Sequence, residues 1–466
     1  MSLVPTLFTI AAVWVDTRPS IAGTEVKIGP AGSTGGQAVT VQTGTRGVYL
    51  AEKEASLPYH VYDADHHIYA PADARIRHLD PKYHDRLQAT TGHITPMVEG
   101  DDEEHIATTI GTHTVPEGGH GGVDLRQLPG MEGDIPIPGA MLNRLNPLRD
   151  LDELSRVELI RRYNEMRPAF EKGGPRLQLM DIQGVEAAVV HTAGFNHEPS
   201  FKNGDLELGA AVTRAWNEYV LEDWGFNTED RIFCPLMVPF ADVDLAIAEI
   251  EWGLAHGAKF INLPVAPTQL GKSPFDPIYD PVWARVNEVG LRVAIHLHHA
   301  PRHDGMAAWS EDPEETYPRY DAFQWILYWS DRPIMEMVTA MIFHNLFGRF
   351  PNVKVLIAEY GTVWLPYVLR KMDHAAALGR KPTYGTLPGR PSQIFKEHVV
   401  AAPYPEESVS RVAEVSGWDC LVFGSDFPHS EGLPDPLQYV SQLGNIDEKT
   451  VYKLMRGNLE NFIKGS

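Results

Sequence analysis

Cysteine is scarce: the 466 residues contain two, Cys234 and Cys420. Each lies in an apolar, strand-like run, as in Arg231-Ile232-Phe233-Cys234. Two such thiols are expected to be buried and free, which excludes a disulfide framework and implies a reducing, cytoplasmic setting. Long apolar runs are missing too. The nearest, Leu3 to Val15, is too short to span a bilayer, lacks a basic leader and is soon followed by Asp16 and Arg18. No membrane segment is therefore expected. Positive charge is short: 40 Lys and Arg against 62 Asp and Glu leave a net charge of −22. That balance argues against nucleic acid or an anionic membrane as the main partner. No internal repeat is evident.

The apolar share of 43% is ordinary for a protein with a full core. Residues 1–50 read as an N-terminal extension, a small β element or a flexible arm, because Gly23 to Gly47 is rich in Gly, Thr and Val. Residues 51–466 read as one domain. In it eight apolar runs, 59–65, 185–191, 231–238, 258–263, 291–297, 353–359, 396–401 and 420–424, alternate with helical patterns. Strand–helix alternation calls for a parallel sheet, and eight units call for an α/β fold closed as a (β/α)8 TIM-like barrel. Such a barrel needs about 250 residues, which leaves room for long loop insertions. The largest, about 90–150, leaves the first strand and reads as a lid over the barrel mouth. Its histidines, His105, His113 and His120, have no metal-ligand spacing and read as exposed loop residues. Segment 321–347 is rich in Trp, Phe, Ile and Met, which fits core packing or a homodimer face, with a hetero-oligomer as the alternative.

Active sites of such barrels lie at the C-terminal ends of the strands. Asp63, Asp65 and His67 stand at i, i+2 and i+4 in the first run and are expected to share one face. His296 ends the fifth run, Glu359 ends the sixth, and Asp426 follows the eighth in Gly424-Ser425-Asp426-Phe427-Pro428-His429. Carboxylates and imidazoles gathered from several strand ends make a divalent-metal site. Asp65, His67, His296 and Asp426 are the expected ligands, with an open position for water or substrate.

On these residues the chain resembles the amidohydrolase superfamily, in the branch of the aminocarboxymuconate semialdehyde and resorcylate decarboxylases. The resemblance runs over about residues 59 to 464. The family opens with Asp-x-His-x-His, which here reads Asp63-Ala64-Asp65-His66-His67, so Asp65 replaces the first ligand histidine. His296 and Asp426 match the family's strand-five histidine and strand-eight aspartate. Phe350-Pro351-Asn352-Val353-Lys354-Val355 and Trp364-Leu365-Pro366 match its sixth unit. The departure is Glu359, in Glu359-Tyr360-Gly361, where the decarboxylases carry a histidine that acts on the bound water.

A carboxylate there can serve as a general base or as a further metal ligand. Glu359 and Asp426 are thus the candidate catalytic residues, and Glu359 joins the four ligands as a fifth. The oxygen-rich set fits Zn, Mn or Fe, as one ion or two. His298, His191, Tyr69 and His429 are expected to contact substrate or to support the ligands, and His66 to be structural. The resemblance implies hydrolysis or decarboxylation of a small organic substrate by metal-activated water. The alternative is a dinuclear Fe or Mn/Fe monooxygenase on the same barrel.

Overall fold

A computed structural model describes residues 57–91 except 72 and 75, the short strands Thr109–Ile110 and His113–Thr114, and residues 166–192, 204–297 except 269, 326, and 331–465 except 381, 382 and 430. The N-terminal extension lies outside the described residues. So do His105 and His120 of the expected lid, His298, and residues 321–325 and 327–330 of segment 321–347. The described residues belong to one unit, Thr40–Ser466.

The strands that form the sheet are β1 (Val61–His67), β2 (Val185–His191), β3 (Ile232–Phe233), β4 (Leu236–Met237), β5 (Phe260–Asn262), β6 (Arg292–His296), β7 (Lys354–Ala358) and β8 (Val399–Ala401). Parallel ladders join β1 to β2 and β2 to β3 in one arc, and β4 through β8 in sequence in a second. The third expected run, 231–238, is divided between the arcs. Pro235 sits at the break and has no N–H to continue a ladder, so one stretch of chain serves both arcs in turn. The eighth run forms no ladder of its own, but hydrogen bonds hold it on both sides. Val422 N donates to Ala401 O at 3.0 Å and Ala64 N donates to Phe423 O at 2.8 Å.

The ring is visible in its filling. Tyr62, Ala64, Ala187, Val189, Phe233, Phe260, Ala294, Leu356, Val400 and Val422 form one buried cluster that takes residues from all eight runs. Their neighbours in sequence, such as Val61, Ala188, Val293 and Val355, face outward into the larger core beneath the helices. That alternation is the inside–outside pattern of a barrel. Small Ala residues on β1, β2 and β6 make room for Phe233 and Phe260. The C-terminal helix Asn458–Lys464 adds Leu459 and Phe462 to the same cluster.

Helices cover the outside. In Leu206–Asp223 the buried residues Leu208, Val212, Ala215, Trp216 and Tyr219 recur at helical spacing, and the Asp205 side chain caps Leu208 N. One boundary differs from expectation. Residues 396–398 belong to the helix Pro391–His398, because Pro391 favours a helix start and Ile394 and Phe395 bury its inner face. The strand keeps only Val399–Ala401. Cys234 and Cys420 are buried and unpaired, as expected. No described helix is long and apolar enough to cross a membrane.

Candidate metal centre

His67, His191 and His296 are the last residues of β1, β2 and β6. Glu359 follows the last residue of β7, and Asp426 follows the eighth run. All five therefore reach the same end of the barrel. At that end His67 Nε2 lies 3.2 Å from Asp65 Oδ1, 3.0 Å from Asp426 Oδ1 and 3.3 Å from His296 Nε2. His296 Nε2 lies 2.8 Å from Glu359 Oε2 and 3.4 Å from Asp65 Oδ1. Asp65, His67, His296 and Asp426 are all buried.

Backbone geometry aims the two candidate catalytic carboxylates. Glu359 has φ 55° and Asp426 φ 58°, the left-handed region that non-glycine residues seldom adopt. Each is the turn residue at which the chain leaves its strand, and the unusual φ directs its side chain toward the cluster. Such strain persists only where the surroundings enforce it. At Glu359 the enforcement comes from the segment after β8. Tyr404 OH donates to Glu359 O at 2.7 Å, and Glu407 accepts from Thr362 N and Thr362 Oγ1. Gly361, with φ 59°, packs against both Tyr404 and Glu407, leaving no space for a Cβ.

The expectation for Asp63 fails. The pairing of β1 with β2 slips by one residue between Asp63 and His66, a bulge that breaks the alternation. Asp63 turns away from the cluster. Its Oδ1 accepts from Asp65 N and from Ser425 N, both at 3.0 Å, which ties β1 to the turn carrying Asp426. Its Oδ2 lies 3.1 Å from His66 Nε2. His66 in turn touches Arg176, a residue the sequence reading passed over. Arg176 is fully buried and donates to His67 O at 2.8 Å and to Ala169 O at 2.7 Å. A signal was available: Arg176 sits on the apolar stripe of the helix Gly173–Gln183, beside Leu177 and Met180.

Of the expected supporting residues, His191 lies behind the cluster. It contacts Ala64 O at 2.9 Å through Nε2, and its ring lies 4.4 Å from that of His296. His429 stacks on His67 with ring centroids 3.8 Å apart, and its Nδ1 is 2.9 Å from Asp426 Oδ1. Tyr69 donates to Pro428 O at 3.2 Å and so braces the turn rather than opening toward the cluster.

The donor set fits a cation. Two groups could hold one: Asp65, His67 and His296, or His67, Glu359, Asp426 and His429. Asp65 Oδ1 and Asp426 Oδ1 are buried and lack an aligned hydrogen-bond donor, although imidazole nitrogens stand close by. Buried carboxylate oxygens left this way are costly, and a divalent ion between them removes the cost. His296 Nδ1 lies 3.0 Å from Leu297 O, which takes the proton on that side and leaves Nε2 free to coordinate. Protonation states follow the same electrostatics. Burial and the charge of His429 pull His67 down to about 4, which leaves it neutral. Without an ion, Glu359 and Asp65 push His296 up to about 10 against the pull of burial, so an ion binding at Nε2 would displace a proton. Burial pushes Asp426 up to about 7 against the opposing charge of His429, and burial with the Asp426 charge raises Glu359.

Comparison with known proteins identifies the family. Residues 62–460 match the family model described as Amidohydrolase, which takes in most of the chain. The chain belongs to the amidohydrolase family. The chain is 28% identical to an amidohydrolase from Mycobacterium avium subsp. paratuberculosis K-10. The TM-score is 0.67, with 88% of this chain and 100% of that one covered. It shares its fold with a 5-carboxyvanillate decarboxylase from Novosphingobium aromaticivorans DSM 12444, solved in complex with manganese. There the identity is 14% and the TM-score 0.52, over 87% of this chain and 96% of that one. The 2-amino-3-carboxymuconate-6-semialdehyde decarboxylase of Dictyostelium discoideum is 24% identical over 198 residues. That match takes in 41% of this chain and spans half the length of the relative.

Proposed function

We propose that this protein is a metal-dependent decarboxylase of a small organic acid. One divalent ion is held by Asp65, His67, His296 and Asp426. The observation that carries the reading is the pair of buried, unaligned oxygens, Asp65 Oδ1 and Asp426 Oδ1, on either side of the neutral His67. One ion is favoured over two because both candidate groups share His67, and an imidazole nitrogen has one lone pair to give. Manganese is the first metal to test, since the decarboxylase of like fold from Novosphingobium aromaticivorans is complexed with it. A divalent ion held by these residues would supply Lewis-acid stabilisation of the negative charge that decarboxylation develops on the substrate.

The chain's own residues do the rest. Decarboxylation replaces a carboxyl group with a proton, so the site needs a group that delivers one. Glu359 Oε2 stands at the edge of the ligand set, 2.8 Å from His296 Nε2 and 3.9 Å from His67 Nε2. We assign it that proton. Tyr404 and the Thr362–Glu407 contacts hold its backbone in the required turn. His429 keeps Asp426 in place through Nδ1, and His191 orients the rings of the histidine pair.

The test is incubation of the manganese-loaded protein with a panel of small carboxylic acids in D2O, following carbon dioxide release and deuterium in the product. Carbon dioxide release with one deuterium on the carbon that lost the carboxyl supports the reading. Hydrolysed products without carbon dioxide would replace it with amide or ester hydrolysis. No feature of the described site favours the dinuclear oxygenase alternative.

A further inference from the structure

The end of the barrel opposite the metal centre holds a second concentration of charge, of the sign this chain otherwise lacks. Arg292 and Lys354 are the first residues of β6 and β7, and they stand directly opposite each other in the parallel ladder. Like charges paired across neighbouring strands destabilise a sheet. Lys396 adds a third cation from the helix before β8. The three line one groove of about 460 Å³ beside the C-terminal helix Asn458–Lys464.

Their partners are carbonyls, not carboxylates. Arg292 donates to Phe462 O at 2.6 Å and Gly290 O at 3.2 Å, Lys354 to Glu397 O at 2.6 Å, and Lys396 to Val415 O at 3.0 Å. None pairs with a carboxylate among the described residues. Two acids line the groove, but Asp419 is taken by Lys453, and the Glu397 side chain is exposed to solvent. Burial pulls Arg292 below its ordinary value, and burial together with the Arg292 charge does the same to Lys354. A chain of net charge −22 thus carries an unneutralised like-charge pair inside a cavity. A bound anion would relieve that repulsion.

We propose that this groove binds a small dianion, either a phosphate group or a dicarboxylate, with Arg292, Lys354 and Lys396 as its recognition groups. The site is separate from the metal centre, because its residues lie at the starts of strands whose far ends carry His296 and Glu359.

The experiment is calorimetric titration of the full-length protein with inorganic phosphate and, in a second arm, with malonate. Both are run at matched ionic strength in wild type and Lys354→Gln. The expected result is one site per chain in at least one arm, weakened about tenfold or more in Lys354→Gln by loss of a charge-assisted contact. Binding in the phosphate arm alone assigns a phosphoryl ligand, and binding in the malonate arm alone a dicarboxylate. The ligand-free Tm of Lys354→Gln should equal or exceed that of wild type, because the like-charge pair is gone. Absence of binding in both arms would overturn the proposal, as would equal binding by wild type and variant, which would put the anion elsewhere. Should Lys354→Gln fail to fold, Lys396→Gln, altered at an exposed position, carries the same comparison.

Discussion

At the scale of single residues, position along a strand decided what each polar side chain could do. His67 and His296 end their strands, and the structure brings them to 3.3 Å of each other with Asp65, Glu359 and Asp426 around them. That gathering could be read from the sequence, because a carboxylate or imidazole at the end of an apolar run has one place to go in a barrel. Asp63 could not be read the same way. The alternation rule put it with Asp65, and a bulge invisible in the residue types turned it toward His66 and Ser425. Arg176 was missed because a lone basic residue in a helix ordinarily points to solvent. Two predictions belong here. Asp426→Asn should lose most of the bound metal, measured as ions per chain. Glu359→Gln should retain the metal and lose activity by about 10²–10⁴-fold, the usual size of a general acid–base contribution. Loss of metal in Glu359→Gln would instead make Glu359 a ligand.

At the scale of elements, the site depends on how two turns, those of Glu359 and Asp426, are clamped. Gly424 passes so close to β1 that a Cβ there would sit 2.9 Å from the Cβ of Asp65 and 3.0 Å from that of Ala402. Gly424→Val should therefore displace Asp65, weaken metal binding and cost about 1–3 kcal/mol by overpacking, as read by denaturant unfolding. The Glu407 clamp carries a pH signature. Burial, working against the hydrogen bonds from Thr362, pushes Glu407 up to about 7 from an ordinary value near 4.5. A raised carboxyl favours the protonated folded state. Its contribution is therefore complete below pH 4.5 and lost as pH rises toward 7. The stability of wild type relative to Glu407→Gln should fall between pH 4.5 and 7. A flat difference across that range would mean that the carboxyl titrates normally. Nothing in the sequence flagged this clamp, since Tyr404 and Glu407 are distant in the chain from the turn they hold.

At the scale of the molecule, the eight-run pattern carried the fold. Each run contributes an inward residue to one cluster and outward residues to another. The differences were local: Pro235 split the third run between two arcs, and the seventh was shortened by the helix that Pro391 starts. Periodicity reports which face a residue takes and is silent on where hydrogen bonding lapses. Closure also ties the metal centre to global stability, because its ligands come from the first, fifth and eighth runs. An ion that binds only the folded chain should stabilise it by about 2.7 kcal/mol at 100 times its Kd. Chelation should lower the Tm, manganese should restore it, and Asp426→Asn should respond to neither.

The most direct measurement is metal content per chain by mass spectrometry on protein purified without added metal, for wild type, His296→Ala and Glu359→Gln. One divalent ion per chain in wild type and in Glu359→Gln, and none in His296→Ala, is the predicted result. Two ions per chain, one of them lost in Glu359→Gln, or no ion bound even after loading with manganese, would contradict a single centre held by Asp65, His67, His296 and Asp426.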